Sequence, residues 1–94
     1  MAAYWVAHVA VSDAEVYGEY AKRATAAIAA HGGEFLARAT RTVWLEGKER
    51  ERNVIVRFDS IEDAERCYYS PAYQEALQFA KASAERDLCI IEGN

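Results

Sequence analysis

Two residues in apolar segments of the sequence offer acid–base and anion-binding chemistry, His8 and Arg57. An imidazole titrates near neutral pH, so His8 is a candidate general base. The guanidinium of Arg57 has a fixed fork of donors that suits a carboxylate or an enolate. We predict both as catalytic residues of a proton transfer that needs no cofactor. The alternatives are a histidine hydrogen-bonded across the dimer interface and an interchain ion pair of Arg57 with Glu34, Glu92 or another carboxylate.

Two further residues are candidate ligand-binding groups, Tyr4 and Arg38. Tyr4 precedes His8 by four residues, which on a strand places both side chains on the same face. Arg38 can take the same role as Arg57, although a bulge in its strand would change the face on which it lies. The remaining alternative for the aromatic residues is packing, which we expect for Trp5 and Trp44 and for the helical tyrosines, namely Tyr17, Tyr20, Tyr68 and Tyr73.

The metal-binding residue types are scattered along the chain. Cys67 and Cys89 form no CxxC motif and no cluster with histidine, so they predict neither a zinc site nor a redox pair. His8 and His31 have no second ligand at helical or hairpin spacing. We therefore expect no metal and no cofactor, and we interpret both cysteines as buried small hydrophobic residues.

The first segments of the chain predict a strand followed by a helix. Tyr4 to Val11 is rich in aromatic and β-branched residues and alternates its side chains between two largely apolar faces. Ser12 or Asp13 can cap a helix over about residues 13 to 31, and Gly32-Gly33 ends it. His8 would then lie on the strand face that also carries Tyr4 and Val6.

A β-hairpin is predicted next. Its first strand runs from Glu34 to about Leu45, its charged turn covers residues 46–49, and its second strand is Asn53 to Phe58. The alternation of this last strand puts Asn53, Ile55 and Arg57 on one face and the apolar side chains of Val54, Val56 and Phe58 on the other.

The last third of the chain predicts a broken helix and a final strand. Ser60-Ile-Glu-Asp63 resembles a capping box, so a helix should begin near Ile61. Ser70-Pro71 should interrupt this helix and start another, because serine caps a helix and proline is tolerated at its first position. Leu88 to Ile91 is typical of a short strand.

This order of elements predicts an α+β fold, a ferredoxin-like βαββαβ sandwich with a four-stranded antiparallel sheet and helices on one face. Its 94 residues make a single domain, residues 1–94. The helix-free face would carry Tyr4, Val6, His8 and Ile55, which is too apolar a patch to leave in water. We expect a second copy to cover it, giving a homodimer that pairs as a dimeric α+β barrel through the open sheet face.

The composition argues against two classes of partner. Eleven Lys plus Arg against fifteen Asp plus Glu give a net charge of −4, which disfavours nucleic acid, and Asn53 to Phe58 lacks base-stacking aromatic pairs. The apolar opening of the chain lacks a basic segment and is too short to cross a bilayer. We expect no nucleic acid partner, no membrane association and a cytoplasmic location.

Several motifs together resemble the domain-of-unknown-function 1330 family, a group in the dimeric α+β barrel superfamily. The resemblance covers essentially the whole chain and rests on Val9–Asp13, Tyr17 with Tyr20, Gly32–Arg38, Leu45–Gly47, Arg57–Ser60, Tyr69–Tyr73 and Glu92-Gly93. It implies the fold and dimerisation. The family has no agreed activity to carry over to this chain.

Two functional hypotheses from different classes follow. In the first, the protein binds or converts a small anionic or enolisable organic molecule in a cavity between the paired sheets, with His8 as the base and Arg57 as the anion holder. In the second, it is a structural or regulatory homodimer with a packed interior and no catalytic activity. The sequence leaves open whether the protein is an enzyme.

Overall fold

The computed structural model describes residues 1–39 and 41–94 and contains four strands and three helices. In chain order these are β1 (Ala3–Val11), α1 (Ala14–Ala30), β2 (Glu34–Ala39), β3 (Arg52–Phe58), α2 (Ile61–Tyr68), α3 (Pro71–Ser83) and β4 (Ala84–Glu92). The predicted α+β, ferredoxin-like architecture is confirmed.

The four strands form one antiparallel sheet in the order β2-β3-β1-β4. The two central strands are β1 and β3, as the sequence predicts. Their register pairs Tyr4 with Arg57, Val6 with Ile55 and His8 with Asn53. These six side chains therefore lie on the same face of the sheet, which we call the open face because no helix packs on it.

The opposite face of the sheet forms the hydrophobic core with the three helices. Alternate residues of β1 are buried, and Trp5 lies against the rings of Phe58 and Tyr73 at centroid distances of 5.8 and 5.1 Å. Val56 and Phe58 of β3 are fully buried. This alternation confirms the predicted division of the strand residues between the two faces.

The helices begin at the capping residues that the sequence indicates. Asp13 accepts a hydrogen bond from Val16 N at 3.1 Å, and Ser60 accepts one from Asp63 N at 3.1 Å. Ser70 caps α3 by accepting from Tyr73 N at 3.2 Å, with Pro71 at the first helical position. The interruption between α2 and α3 is thus confirmed. None of the described helices is long and apolar enough to cross a membrane.

Two strand lengths differ from those predicted. β2 ends at Ala39 rather than near Leu45. A longer β2 would have to pair with the residues just before β3, but the side chains of Arg50 and Glu51 bond to other strands. Arg50 binds carboxylates of β4 and Glu51 accepts a hydrogen bond from Val11 N. Thr40 lies outside the described residues. β4 is longer than predicted and begins at Ala84.

The molecule is flat, because it has helices on one face of the sheet and none on the open face. Its Cα atoms span 33 × 32 × 16 Å, and the short dimension accommodates one sheet and one layer of helices. Ile55 and Ile91 are exposed on this face. Cys89 is exposed beside them, so the interpretation of both cysteines as buried was wrong for Cys89, whose strand position directs it away from the helices.

Candidate functional site

The predicted base, His8, lies on the open face within a hydrogen-bonded cluster. Its Nδ1 atom is 2.6 Å from Asn53 Oδ1, and its ring meets the ring of Trp44 edge-on at a centroid distance of 5.3 Å. The Asn53 amide donates from Nδ2 to Thr42 Oγ1 at 3.1 Å and to the carbonyl of Arg50 at 3.0 Å.

These contacts define the hydrogen-bonding role of each His8 nitrogen. Because the Asn53 amide nitrogen donates two bonds, its oxygen is the acceptor and His8 Nδ1 is the donor. In the neutral imidazole the basic nitrogen is then Nε2. A base at this position would act through Nε2.

The structure does not bring the predicted catalytic pair together. Arg57 is paired in register with Tyr4, and His8 is four residues further along β1, which places it roughly 13 Å away along the strand. Arg57 Nη1 donates to Asp59 Oδ1 at 3.2 Å. Tyr4 and Arg57 are neighbours on the open face, whereas His8 lies at its other end. Their roles in chemistry stay predictions.

Arg38 lies on the helix side of the sheet, opposite to Arg57. A bulge between Phe35 and Ala37 shifts the register of β2, so that Arg38 pairs with Val54. Its guanidinium lies 3.5 Å from the centre of the Phe35 ring and donates to Thr25 Oγ1 of α1 at 3.4 Å. The ligand-binding role predicted for Arg38 therefore concerns a different region from that of Tyr4.

That region is a cavity of about 450 Å³ between α1 and the core face of the sheet. The side of α1 that borders it carries small residues, including Ala21 and Ala24, which leave space above the strands. Most of its walls are apolar side chains, among them Trp5, Val54 and Ile28. A cavity of this size and composition is typical of sites for small organic molecules.

A polar cluster borders this cavity where α1, α3 and β4 meet. The hydroxyl oxygens of Tyr20 and Tyr73 are 2.8 Å apart. Arg86 Nη2 donates to the Tyr20 hydroxyl at 2.8 Å and to the Tyr73 hydroxyl at 3.2 Å. The Arg86 Nε atom is buried and has no hydrogen-bond partner. Tyr20 and Arg86 line the cavity, with Tyr73 behind them.

The arginines of the cavity lack carboxylate partners. Within residues 1–39 and 41–94, Arg38, Arg52 and Arg86 form no ion pair, whereas Arg50, whose side chain is 9% exposed, binds Asp87 at 2.6 Å. Arg52 and Arg86 are both paired in register with Val9, so they flank it on the core face.

The aromatic rings of α1 accompany two of these arginines. Arg86 lies 4.5 Å from the centre of the Tyr20 ring, and Arg52 lies 5.2 Å from that of Tyr17. Burial raises the pKa of Tyr20 far above its usual range, with a further increase from Tyr73, and Arg86 only partly opposes this. Burial also raises the pKa of Tyr17. Both phenols are therefore hydrogen-bond donors at neutral pH.

The pKa of Arg86 is raised overall. Burial alone lowers it, and the phenolic oxygens of Tyr20 and Tyr73 more than offset that effect. The guanidinium is therefore a permanent positive charge beside the cavity.

Arg86 was not predicted as a site residue, although the sequence contains a signal for it. Leu88 and Ile90 were assigned to the last strand, and continuing their alternation backwards places Arg86 on the same core-directed face. An arginine at such a position is unusual, since charged residues are rarely buried without a partner. The convergence of Tyr20 and Tyr73, which belong to different helices, has no comparable local signal.

Metal ligands are not grouped in the part of the chain that the structure describes. No three His, Cys, Asp or Glu side chains there lie close enough together to hold an ion. The cavity lining has three guanidinium groups against the single carboxylate of Glu51, a set that does not favour a cation. The absence of a metal from the function stays a prediction.

Comparison with known families identifies the chain. The model of the family described as Domain of unknown function (DUF1330) matches residues 2–94. The chain belongs to this family. The resemblance expected from the sequence is thereby confirmed. No curated protein matches this DUF1330 chain.

Solved structures share the fold of this DUF1330 protein. A protein of unknown function from Rhodopseudomonas palustris matches with a TM-score of 0.83 at 16% identity, over 99% of this chain and 82% of that one. SnoaB, a cofactor-independent oxygenase from Streptomyces nogalater, matches with a TM-score of 0.72 at 14% identity, over 99% and 93%. A dimeric protein of unknown function with a ferredoxin-like fold from Bacteroides fragilis matches with a TM-score of 0.66 at 13% identity, over 98% and 96%. At these identities the likeness concerns the fold.

Proposed function

We propose that this protein binds a small organic anion in the cavity between α1 and the sheet, with Arg86 as its main anion contact. The observation that carries the proposal is the Arg86 guanidinium, which is largely buried, has no carboxylate partner among the described residues and keeps an unpaired Nε donor. Burying a charge is costly unless it is paired, so a buried donor left without a partner calls for an explanation, and a bound anion provides one.

The distribution of charge supports an anionic ligand. The protein has a net charge of −4, yet the charged residues lining this cavity are Arg38, Arg52 and Arg86 against Glu51. The Glu51 carboxylate accepts a hydrogen bond from Val11 N. A cavity of one dominant sign with apolar walls concentrates ligands of the opposite charge.

The size and the walls of the cavity restrict the ligand class. A volume of about 450 Å³ bordered by Trp5, Phe35 and aliphatic side chains suits an apolar, ring-containing molecule with few polar groups. The ligand class is therefore a small organic acid or an enolisable compound. The fold likeness to the Streptomyces nogalater oxygenase is compatible with chemistry that needs no cofactor, but a shared fold assigns no reaction.

A titration with 1-naphthoate tests the proposal, with 1-naphthalenemethanol as its uncharged counterpart. We expect the wild type to bind 1-naphthoate preferentially by calorimetry. Arg86→Met should lose roughly ten- to a hundredfold in affinity, since a hydrogen bond to a charged group contributes about 1.5–3 kcal/mol. Arg66→Met is the matched control, because Arg66 is exposed on α2 and away from the cavity. Unchanged binding by Arg86→Met would refute the proposal.

The same titration separates this cavity from the site predicted between paired sheets. If the anion binds on the open face, Arg57→Met and His8→Ala should weaken binding while Arg86→Met does not. If it binds in the α1 cavity, the reverse is expected. In a site on the open face, the Nε2 atom of His8 and the guanidinium of Arg57 would contact the ligand.

We also propose that two copies pair through the open face. Val6 and Ile55 lie at its centre, with Ile91 exposed at its side, and an apolar sheet face of this kind needs a cover. Solved proteins of similar fold from Bacteroides fragilis and Thermobifida fusca are described as dimeric. If the interface is packed and holds no ligand, the open face serves only dimerisation, as in the hypothesis of a structural or regulatory homodimer.

A further inference from the structure

The arginines of the cavity beneath α1 come from two separate places in the sheet. Arg52 and Arg86 both pair in register with Val9. Arg38 of β2 pairs instead with Val54. Because β2 and β4 are three strand spacings apart, the backbones of Arg38 and Arg86 are separated by roughly 14 Å across the sheet. Positive charge therefore borders the cavity in two different regions.

One of these regions lies at the first turns of α1. Arg52 is 5.2 Å from the centre of the Tyr17 ring. Arg86 is 4.5 Å from the centre of the Tyr20 ring. The two rings are themselves neighbours, with centroids 5.0 Å apart. All four residues line the cavity, and we call this region the tyrosine end.

The other region lies further along α1. Arg38 stacks on the Phe35 ring and donates to Thr25 Oγ1 at 3.4 Å. Thr25 follows Tyr20 by five residues, which is about 7.5 Å along a helix. We call the region of Arg38 and Thr25 the threonine end. The two ends are thus displaced from each other both along α1 and across the sheet.

The part of the cavity between the two ends is apolar. On α1, Ala21 and Ala24 lie between Tyr20 and Thr25, and both alanines line the cavity. The sheet forms the facing wall with apolar side chains such as Val54. An apolar body with one polar group at each end fits this distribution of side chains.

Each end keeps donors that the protein does not use. Within residues 1–39 and 41–94, the Arg52 side chain forms no hydrogen bond and no ion pair, and Arg38 bonds to Thr25 alone. In the described residues that are not exposed, the buried side-chain atoms without a partner are Nε of Arg50 and Nε of Arg86. Arg86 Nη1 has no partner there either, so it keeps accessible surface. Nη1 is therefore the Arg86 atom available to a ligand.

The charge of the cavity suits two anionic groups better than one. Among the described lining residues, Arg38, Arg52 and Arg86 against Glu51 leave two positive charges in excess. The Glu51 carboxylate already accepts a hydrogen bond from Val11 N. A ligand with one anionic group leaves one of these charges uncompensated, whereas a ligand with two compensates both.

We infer that the ligand of this cavity is a rigid dicarboxylate, with its apolar body beneath α1 and its two carboxylates at opposite ends. One carboxylate contacts Arg86 Nη1 and Arg52 at the tyrosine end, and the other contacts Arg38 at the threonine end. The planar fork of a guanidinium matches a carboxylate at either place. This inference rests on the proposed function and specifies the ligand class of the same site.

Calorimetric titrations with three naphthalene acids at constant ionic strength test the inference. Naphthalene-2,6-dicarboxylate has carboxylates at opposite ends of its rings, naphthalene-2,3-dicarboxylate has the same charge with adjacent carboxylates, and 2-naphthoate has one carboxylate. We expect the 2,6-isomer to bind about three- to tenfold more tightly than 2-naphthoate, because it adds one ion pair near the surface. The 2,3-isomer should bind less tightly than the 2,6-isomer, since its carboxylates reach only one end.

Variants of the arginines assign the two carboxylates. Arg38→Met should bind the 2,6-isomer no more tightly than 2-naphthoate, while its affinity for 2-naphthoate stays within about twofold of the wild type. Arg86→Met should weaken the binding of both compounds. Arg66→Met removes the same charge from an exposed position on α2 and should keep the wild-type preference. Because Arg38 is exposed, its variant should retain the fold, which circular dichroism checks.

The outcomes separate the inference from the proposed function. Equal affinities of the wild type for the 2,6- and 2,3-isomers, or an unchanged preference in Arg38→Met, overturn the inference. If Arg86→Met still loses affinity for 2-naphthoate, the organic-anion site stands without a second carboxylate. If none of the three acids binds, or if Arg86→Met binds them all as well as the wild type does, the proposed function is overturned as well.

Discussion

At the scale of single residues, the buried charge of Arg86 disfavours folding but would favour the binding of an anion. Its guanidinium is held by two neutral phenols and has no carboxylate partner in the described chain, so its burial is only partly compensated. A well-packed apolar residue at such a site often leaves stability unchanged or higher. Retention of the charge is then better explained by a ligand than by folding.

The stability of Arg86→Met should reflect the removal of this uncompensated charge. Without ligand, we expect its free energy of unfolding in urea to be within about 1 kcal/mol of the wild type or higher, because methionine fills the space and the two phenols still bond to each other. Arg86→Ala should be less stable than Arg86→Met, since it also removes the aliphatic stem. A decrease of more than about 3 kcal/mol for Arg86→Met would instead assign the arginine a structural role.

The candidate residues differ in how far the sequence could reveal them. His8 was placed on the open face from alternation alone, and the structure agrees. Its partners Asn53 and Trp44 come from distant segments, so the direction of its hydrogen bond could not be foreseen. Arg38 could not be assigned to a face, because the bulge at Leu36 depends on pairing with β3 rather than on a local motif.

At the scale of the elements, local signals predicted helices better than strand ends. α1 begins after the Asp13 cap, and α2 and α3 separate at Ser70, as expected from side chains that act within one turn. β2 was predicted too long because Thr42, Val43 and Trp44 have high strand propensity. They lack strand partners, since Arg50 and Lys48 bind the carboxylate of Glu85 on β4 instead.

A pair of glycine variants tests the packing around α1 and the turn that follows it. Gly18 lies in α1 with open space around it, so Gly18→Ala should raise the free energy of unfolding by about 0.5–1 kcal/mol. At Gly33, a Cβ atom would come within 2.5 Å of Ile28 Cγ2 and 2.9 Å of Phe58 Cζ. Gly33→Ala should lower it by about 1–3 kcal/mol through overpacking.

Urea denaturation of the two variants gives the comparison. The same substitution should produce shifts of opposite sign at the two sites. Equal effects would mean that Gly33 packs less closely against Ile28 and Phe58 than the structure indicates.

At the scale of the whole molecule, the flat shape concentrates the uncovered apolar surface on one side. Part of the open face is covered by the chain itself, because Trp44 lies against His8 and Arg50 binds Asp87. The remaining part, around Val6, Ile55 and Ile91, has no such cover from the residues that the structure describes. A second copy placed there would meet an apolar centre with charged groups at its edge, the usual composition of a stable interface.

The dimer is predicted to depend on the centre of this face. Val6→Asp and Ile55→Asp should each give a monomer with a strongly reduced melting temperature or an unfolded chain, because an unpaired buried carboxylate costs several kcal/mol. The wild type should sediment as a dimer at micromolar concentration and bury on the order of 2,000 Å² in total. Glu49→Lys, in the exposed connection before β3, should behave as the wild type.

A wild-type monomer whose melting temperature does not depend on concentration would refute the dimer, and a cavity between paired sheets would be refuted with it. The site beneath α1 lies within one chain, so its binding of anions would be unaffected by that outcome.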